Sequence, residues 1–250
     1  MTFNTQRYTF FVKQKKKSCY ILLIIRRLDI IQQTLSMLKI QKWVVNPCQE
    51  CTHVVLDETG EAVIIDCGVY KPGERKRFLD YIAKEQLHPV RLLLTHAHHD
   101  HLYGNDLVLE HYGLYPEVHE ADKGLMLHML PLRIKEIYGD NYPYSIPMPE
   151  NYLHSGEIIS FGHHQLKVIS TPGHSPGSVV FYCWEEKIAF TGDTLLSMNI
   201  GRTDFPGGDK EQMAESFELI AHRLSDDTII YPGHGKKSTM GHEKACNPYL

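Results

Sequence analysis

The fold of this chain is decided by the stretch Thr95-His96-Ala97-His98-His99-Asp100-His101. An apolar run precedes it and is predicted to be a buried strand. Because side chains alternate along a strand, His96 and His98 leave its end on the same side. Asp100 is a typical helix N-cap residue, so a helix is predicted over residues 101–110. The turn therefore directs two imidazoles and an Asp-His pair towards one point, and zinc and similar divalent cations accept these donors.

The composition is typical of a globular domain. The chain has 250 residues, 42% of them hydrophobic and 22% charged, which is enough for one large domain with a sizeable core. Its formal net charge of −4 gives no reason to expect nucleic acid or a membrane as a partner. Six cysteines are scattered along the chain, so they predict no disulfide scaffold, and a reducing cytoplasm is the expected location.

Residues 1–36 differ from the rest and are predicted to be a peripheral N-terminal extension, outside a catalytic domain at residues 37–250. Lysines precede an apolar run at residues 19–25, which is too short to span a bilayer and is followed by no small-residue cleavage site. A membrane-surface helix over residues 20–38 is the alternative. Met37 would serve as an alternative start, because the periodic pattern begins just after it.

Short apolar runs separated by turn residues predict two groups of strands. The predicted strands cover residues 43–45, 53–56, 62–66, 90–94, 117–119, 158–161, 166–170, 178–184, 188–191 and 228–231. Apolar residues at helical spacing predict helices over residues 72–86, 121–130 and 209–224, the last with Asp209 as its N-cap. A segment rich in proline and tyrosine, residues 131–149, is predicted to be irregular and could line a substrate groove.

Three more candidate ligands follow predicted strands, as the first group does. His174, Asp193 and His234 each stand just past the end of an apolar run, beside Gly or Pro. In sheet-based enzymes, sites gather at the edge where loops leave the strands. Glycine and proline fix such turns and let the backbone approach closely. We therefore expect these three residues to join the His/Asp motif at one edge.

Together these residues suit two divalent cations. One predicted site consists of His96, His98 and His174, the other of Asp100, His101 and His234, and Asp193 bridges the two. Zinc is the expected metal, with iron or manganese as alternatives. An open position remains for water, and a hydroxide shared by both cations would attack a substrate carbonyl without a Ser or Cys nucleophile. Asp100 has a second predicted role, since it can accept a hydrogen bond from that hydroxide and orient its attack.

The sequence resembles the metallo-β-lactamase superfamily, and within it the glyoxalase II-related hydrolases. The resemblance is carried by residues 95–101, Pro172-Gly173-His174, Gly192-Asp193-Thr194-Leu195, residues 201–209 (Gly-Arg-Thr-Asp-Phe-Pro-Gly-Gly-Asp) and Pro232-Gly233-His234-Gly235. It spans residues 37–250 and implies an α/β fold, the four-layer αββα sandwich, with a dinuclear site at one edge between the sheets. It also implies hydrolysis of a small-molecule thioester of the S-acylglutathione type.

Several positions depart from this resemblance. Glutathione-specific enzymes carry a helical C-terminal extension, whereas here only residues 235–250 follow the last motif, so the short, single-domain branch is the better match. Arg202 stands where those enzymes have Lys, and Cys51 and His53 stand where such proteins have Asn and Tyr. Arg202 and Asp204 are candidate substrate residues, because a guanidinium can meet a substrate carboxylate. A structural ion pair between them is the alternative.

Other functions stay open at this point. A persulfide dioxygenase-like oxidase would use one iron held by residues like His96, His174 and Asp193, and its oxygen uptake would distinguish it from a dinuclear hydrolase. A nuclease would need a basic groove or an added nucleic-acid-binding domain, for which this acidic chain gives no signal. A non-catalytic metal-binding module would not need a position open to water.

Overall fold

A computed structural model describes residues 37–249, except for the side chain of Asn141. The described residues form two mixed six-stranded sheets, in the orders β1-β2-β3-β4-β5-β6 and β12-β11-β10-β9-β8-β7. The first sheet consists of β1 (Lys39–Val45), β2 (Glu50–Leu56), β3 (Glu61–Ile65), β4 (His88–Leu93), β5 (Pro116–His119) and β6 (Tyr152–Leu153). The second consists of β7 (Ile158–Phe161), β8 (His164–Ser170), β9 (Val179–Cys183), β10 (Ile188–Gly192), β11 (Ile229–Pro232) and β12 (Ser238–Thr239).

Helices cover the outer faces of both sheets. They are α1 (Pro72–Lys84), α2 (Asn105–Tyr112), α3 (Leu130–Tyr138), α4 (Lys210–Arg223) and α5 (Met240–Cys246). Apolar side chains of β2, β3 and β4 pack against those of β8, β9 and β10 in the core between the sheets. The opposite face of the first sheet packs on α1 and α2, and that of the second on α4 and α5. These layers are the αββα sandwich, so the expected fold is confirmed.

Most predicted strands are confirmed within a few residues, and the best helix prediction is that of α4. Its N-cap is Asp209, whose side chain accepts a hydrogen bond from the Gln212 backbone N–H at 2.9 Å. One face of the helix buries Met213, Phe217 and Ile220 against the second sheet. A capping residue and an apolar stripe at helical spacing were both visible in the sequence, which is why this element could be predicted.

The helix predicted over residues 101–110 is wrong at its start. A short 3-10 helix covers His99–His101, and α2 begins only at Asn105. Asp100 caps no helix, because its carboxylate faces His234, with Oδ2 at 3.3 Å from Nε2. A contact with an imidazole from the loop after β11 therefore competes with capping for this side chain.

The segment after β5 differs in part from the prediction. Residues 121–130 are helical as expected, but they form a 3-10 turn and then a π-helical turn at Leu125–Met129, which continues into α3. Residues 131–138, predicted to be irregular, are helical. Pro131 is compatible with this because it lies in the first turn of α3, where a missing backbone N–H has no intrahelical acceptor to lose.

The predicted N-terminal extension and the alternative membrane-surface helix fall mainly on residues 1–36, which lie outside the described residues. Among residues 37–249, every helix is too short or too polar to cross a lipid bilayer.

Candidate metal centre

The seven predicted ligands lie on loops at one edge of the sandwich. The loop after β4 carries four of them, and the loops after β8, β10 and β11 carry one each. Strands β10 and β11 are parallel neighbours, so Asp193 and His234 leave the sheet at the same edge. The loop after β4 reaches this edge from the first sheet, where the Thr95 carbonyl accepts a hydrogen bond from the Val179 N–H at 2.8 Å. The topology thus brings both sheets together at these side chains.

The first cluster consists of His96, His98 and His174. One ring nitrogen from each lies within 4.8 Å of the others, and His98 Nδ1 is 2.7 Å from His174 Nε2. His174 Nδ1 donates a hydrogen bond to the Arg202 carbonyl oxygen at 2.6 Å. Since a carbonyl can only accept, this bond fixes the proton on Nδ1 and leaves the Nε2 lone pair directed into the cluster.

The second cluster consists of Asp100, His101 and His234, again with their ligand atoms within 4.8 Å of one another. His101 Nε2 is 3.9 Å from Asp100 Oδ2. On the far side of the same ring, His101 Nδ1 is 3.0 Å from Asp66 Oδ2. This carboxylate behind the imidazole orients the ring so that Nε2 faces the cluster.

Asp193 lies between the two clusters. Its Oδ2 is 3.4 Å from His174 Nε2 and 3.6 Å from His234 Nε2. Its Oδ1 is 3.8 Å from His101 Nε2. The carboxylate therefore contacts side chains of both clusters, as the predicted bridging role requires. The preceding Gly192 has a φ of +48°, in the left-handed region that glycine adopts without strain.

Burial keeps the imidazoles of His96 and His98 neutral. It lowers the pKa of His96 and of His98 well below the usual value, and the neighbouring imidazoles lower both further. In the second cluster burial opposes the charged form of His101, but Asp66 and Asp100 outweigh it and raise the pKa of His101. Burial likewise disfavours ionised Asp100, yet His101 and His234 hold its pKa well below the usual range. The first cluster is thus ready to donate nitrogen lone pairs and the second to donate a carboxylate.

Several buried atoms in these clusters fit a bound cation. His96 Nε2, His101 Nε2 and Asp193 Oδ1 have no hydrogen-bond partner among the described residues. A buried polar atom without a partner is costly, and three of them around one point are rare in a protein interior. Nitrogen and carboxylate oxygen are the donors that divalent transition metals bind, so the residues present fit a pair of such ions.

Two buried acids that the sequence reasoning missed hold these loops. Asp66 accepts hydrogen bonds from the Thr95 backbone N–H at 2.8 Å and hydroxyl at 2.7 Å. It follows β3 directly, so the rule that located the ligands could have located it too. Asp122 accepts bonds from the backbone N–H groups of Ala97 and Gly177 at 2.9 and 2.6 Å, joining the two loops of the first cluster. The sequence carries no signal for Asp122, because its partners are distant along the chain.

The predicted substrate residues form an ion pair beside the first cluster. Arg202 donates to both carboxylate oxygens of Asp204, at 2.9 and 2.6 Å, and both side chains are about two-thirds exposed, at 64% and 65%. The guanidinium lies over the Phe205 ring, 4.3 Å from its centroid, and that ring is 5.5 Å from the His98 ring. The ion pair of the alternative interpretation therefore exists, next to the first cluster.

Cys51 and His53, two of the positions that depart from the resemblance, belong to neither group of predicted ligands, although the Cys51 backbone N–H donates to the Gly233 carbonyl oxygen at 2.7 Å. Cys51 is buried, with its thiol 3.5 Å from the Gly235 carbonyl oxygen. His53 is buried between the sheets, where its ring makes edge contacts with Phe190 and Tyr231 at 5.4 and 5.7 Å. It belongs to neither cluster.

Known proteins similar to this chain carry the same architecture. Residues 47–234 match the sequence model of the metallo-beta-lactamase superfamily. A hydroxyacylglutathione hydrolase of Haemophilus influenzae, GloC, is 36% identical over 205 residues, which are 81% of this chain and 92% of that protein. The crystal structure of the BLEG-1 B3 metallo-beta-lactamase superposes with a TM-score of 0.75 at 31% identity, over 86% of this chain and 99% of that one. The crystal structure of TTHA1623 in a di-iron-bound form superposes with a TM-score of 0.73 at 33% identity, over 84% and 100%. Matches of this extent show that the chain belongs to the metallo-beta-lactamase superfamily.

Proposed function

We propose that this metal-dependent hydrolase cleaves small-molecule thioesters of the S-acylglutathione type, using two divalent cations. The observation that carries the proposal is the pair of ligand clusters that share Asp193. The similarity to a hydroxyacylglutathione hydrolase supports the thioester as substrate class. Zinc is the proposed metal, and the di-iron form of a similar structure keeps iron as the alternative.

Each cation would have its own set of ligands. His96, His98 and His174 would hold the first, Asp100, His101 and His234 the second, and Asp193 both. Cations bound there would lower the pKa of a water molecule and polarise a thioester carbonyl. The chain's own groups then determine the direction of attack. Asp100 stays ionised beside His234, so it can accept a hydrogen bond from the attacking water and orient it.

The Arg202 side chain would position the substrate. The Arg202 guanidinium is exposed and stacked on Phe205 next to the first cluster. A substrate carboxylate can replace Asp204 as its bidentate partner.

We also propose a reducing cytoplasm as the location, because every cysteine of the described part of the chain is a free thiol.

Metal quantitation combined with thioester hydrolysis tests the proposal. We expect two metal ions per chain at the clusters and hydrolysis of S-lactoylglutathione or another thioester of a small panel. His174→Ala removes a ligand of the first cluster, so we expect it to lower kcat by at least about a hundredfold. His222→Ala is the matched control, since His222 is exposed on α4.

Two results would overturn the proposal. The first is a metal-loaded protein that cleaves none of the thioesters. The second is one iron per chain together with oxygen uptake on a persulfide, which is the behaviour expected of the dioxygenase-like alternative. That alternative leaves the second cluster, Asp100, His101 and His234, without a metal to bind.

The substrate role of Arg202 has its own test. We expect Arg202→Ala to raise KM about tenfold or more with little change in kcat, because it removes a contact to a part of the substrate that does not react. Arg202→Lys keeps the charge but loses the bidentate geometry, so its KM should lie between the KM of the unmodified protein and that of Arg202→Ala. Equal KM values in all three proteins would leave Arg202 and Asp204 as a structural ion pair only.

A further inference from the structure

Three more potential metal ligands meet at the opposite end of the sandwich. His164 is the first residue of β8, Cys183 is the last residue of β9, and Glu185 lies in the turn that follows. Strand β9 starts at Val179, whose N–H bonds Thr95 at the edge that carries the two clusters. At the usual rise of a strand, Cys183 lies about 13 Å further along. This group is therefore distinct from the metal centre described above.

The sheet geometry brings the three side chains together. The antiparallel register of β8 and β9 pairs Lys167 with Tyr182, which places Cys183 opposite Leu166. His164 stands two residues before Leu166 and so shares the face of Cys183. One donor atom from each of His164, Cys183 and Glu185 lies within 4.8 Å of the other two. In a tetrahedral zinc site, neighbouring donors are about 3.5 Å apart, and rotation of the exposed Glu185 side chain can close the difference.

The turn after β9 is arranged to stabilise a thiolate. The backbone N–H groups of Glu185 and Glu186 lie close enough to the Cys183 sulfur to lower the pKa of the thiol. Burial outweighs them in the metal-free protein and raises the pKa of Cys183 to about 11. A cation would displace the thiol proton, and the two N–H groups would then share the charge on sulfur. Glu185 and Glu186 add negative charge around this position, which favours a cation.

We propose that His164, Cys183 and Glu185 form a third divalent-cation site, separate from the catalytic clusters and suited to zinc. One imidazole, one thiolate and one carboxylate are a donor set that zinc and cobalt bind. Two of the donors are buried and rigid, because they lie at strand ends beside the core between the sheets. Glu185 is exposed, so the cation enters from solvent and the fourth position is open to water. Bound metal cross-links β8, β9 and the turn that leads into β10.

Cobalt titration followed by absorption spectroscopy tests this site independently of the catalytic clusters. A thiolate bound to Co²⁺ gives a charge-transfer band in the near ultraviolet, and the two catalytic clusters contain no cysteine. We expect this band and one cobalt ion per chain beyond those in the clusters. Cys183→Ser keeps the size of the side chain and should lose both, whereas Cys246→Ser, at an exposed thiol, should lose neither.

A second variant covers the case in which a change in the core impairs folding. Glu185→Gln alters an exposed turn residue and should weaken cobalt binding at this site at least about tenfold, with the fold intact by circular dichroism. His174→Ala, which damages the first catalytic cluster, should keep the band, so failure of the proposed hydrolase function is distinguishable. The proposal is overturned by a saturated protein without the band, by a band that survives in Cys183→Ser, or by equal cobalt affinity in Glu185→Gln.

Discussion

His53 occupies an unusual position for a histidine. It is 2% exposed, and its Nε2 has no hydrogen-bond partner among residues 37–249. Burial lowers its pKa to about 3, and the nearby Asp66 carboxylate only partly compensates. The ring is therefore neutral in the folded protein over the whole physiological pH range. It serves as a packing residue that retains a titratable group.

This position makes folding stability depend on pH. In the unfolded chain His53 titrates near pH 6.5, so between pH 6.5 and 3 the unfolded state binds one proton more than the folded state. The stability contribution is complete above pH 6.5 and is lost as the pH falls, by about 1.4 kcal/mol per pH unit. We expect His53→Phe to reduce this loss in urea unfolding of chelated protein at pH 7 and pH 5.

His222→Phe is the control for that measurement, because His222 is exposed and bonds only the Glu218 carbonyl among the described contacts. Its pH dependence should match that of the unmodified protein. If His53→Phe also loses stability as steeply as the unmodified protein, the buried neutral imidazole is not the cause.

Residues at strand ends could be predicted from the sequence, whereas buried partners in the interior could not. The seven predicted ligands follow apolar runs, and that local pattern sufficed to predict that they lie together. Asp66 obeys the same pattern and was overlooked. Asp122 and His53 are defined by contacts with residues far away along the chain, so no local pattern marks them. For such residues the tertiary packing decides the environment.

At the level of elements, α4 holds the loop that carries His174. The Asp209 backbone N–H donates to the Gly173 carbonyl at 2.8 Å, and the Ser216 hydroxyl donates to the Pro172 carbonyl at 2.7 Å. Gly173 has a φ of +137°, and a Cβ there would lie 2.7 Å from Met213 Cβ and closer still to the Met213 backbone. The first turn of the helix thus packs directly on this glycine.

Gly173→Ala should disrupt the packing of α4 on the loop that carries His174. We expect it to lower the free energy of unfolding by about 3 kcal/mol, because both the backbone conformation and the contact with α4 are lost. Gly113→Ala is the matched control: its φ is also positive, at +68°, but nothing lies within 4 Å of the added Cβ. That variant should lose only about 1 kcal/mol. Equal losses in urea unfolding would contradict a role for the contact.

Element boundaries could be predicted where capping and periodicity act alone, as in α4. They could not be predicted where an electrostatic partner from another loop competes. Asp100 illustrates this, since His234 removes it from its expected role as a cap and the helix starts later. Pro131 illustrates a different source of error. Proline is common in irregular segments but is also compatible with the first turn of a helix, and Pro131 lies in the first turn of α3.

For the whole molecule, metal binding and folding should be coupled. The clusters take ligands from both sheets, so bound cations favour the assembled sandwich over the unfolded chain. Metal at about one hundred times its dissociation constant adds about 2.7 kcal/mol of stability. We expect a chelator to lower the Tm of Cys183→Ser, a background in which only the catalytic clusters contribute.

The size of that Tm decrease should itself depend on pH. Acids raise the pKa values of His101 and His234 in the metal-free protein, although burial opposes this, so protons compete with the cation as the pH falls. The decrease should therefore be larger at pH 8 than at pH 6, and smaller in His174→Ala at either pH. An identical Tm with and without chelator would show that folding and metal binding are independent.

His174 Nδ1 contacts the backbone oxygen of Arg202, so the main chain and the side chain of Arg202 have different tasks. The main chain at position 202 fixes the tautomer of a predicted metal ligand, and any amino acid supplies the same carbonyl. The side chain at that position faces outward, where the proposed function assigns it to a substrate carboxylate. Under the proposed function, a change of side chain at this position would alter which acyl donors are accepted while the His174 imidazole keeps its orientation.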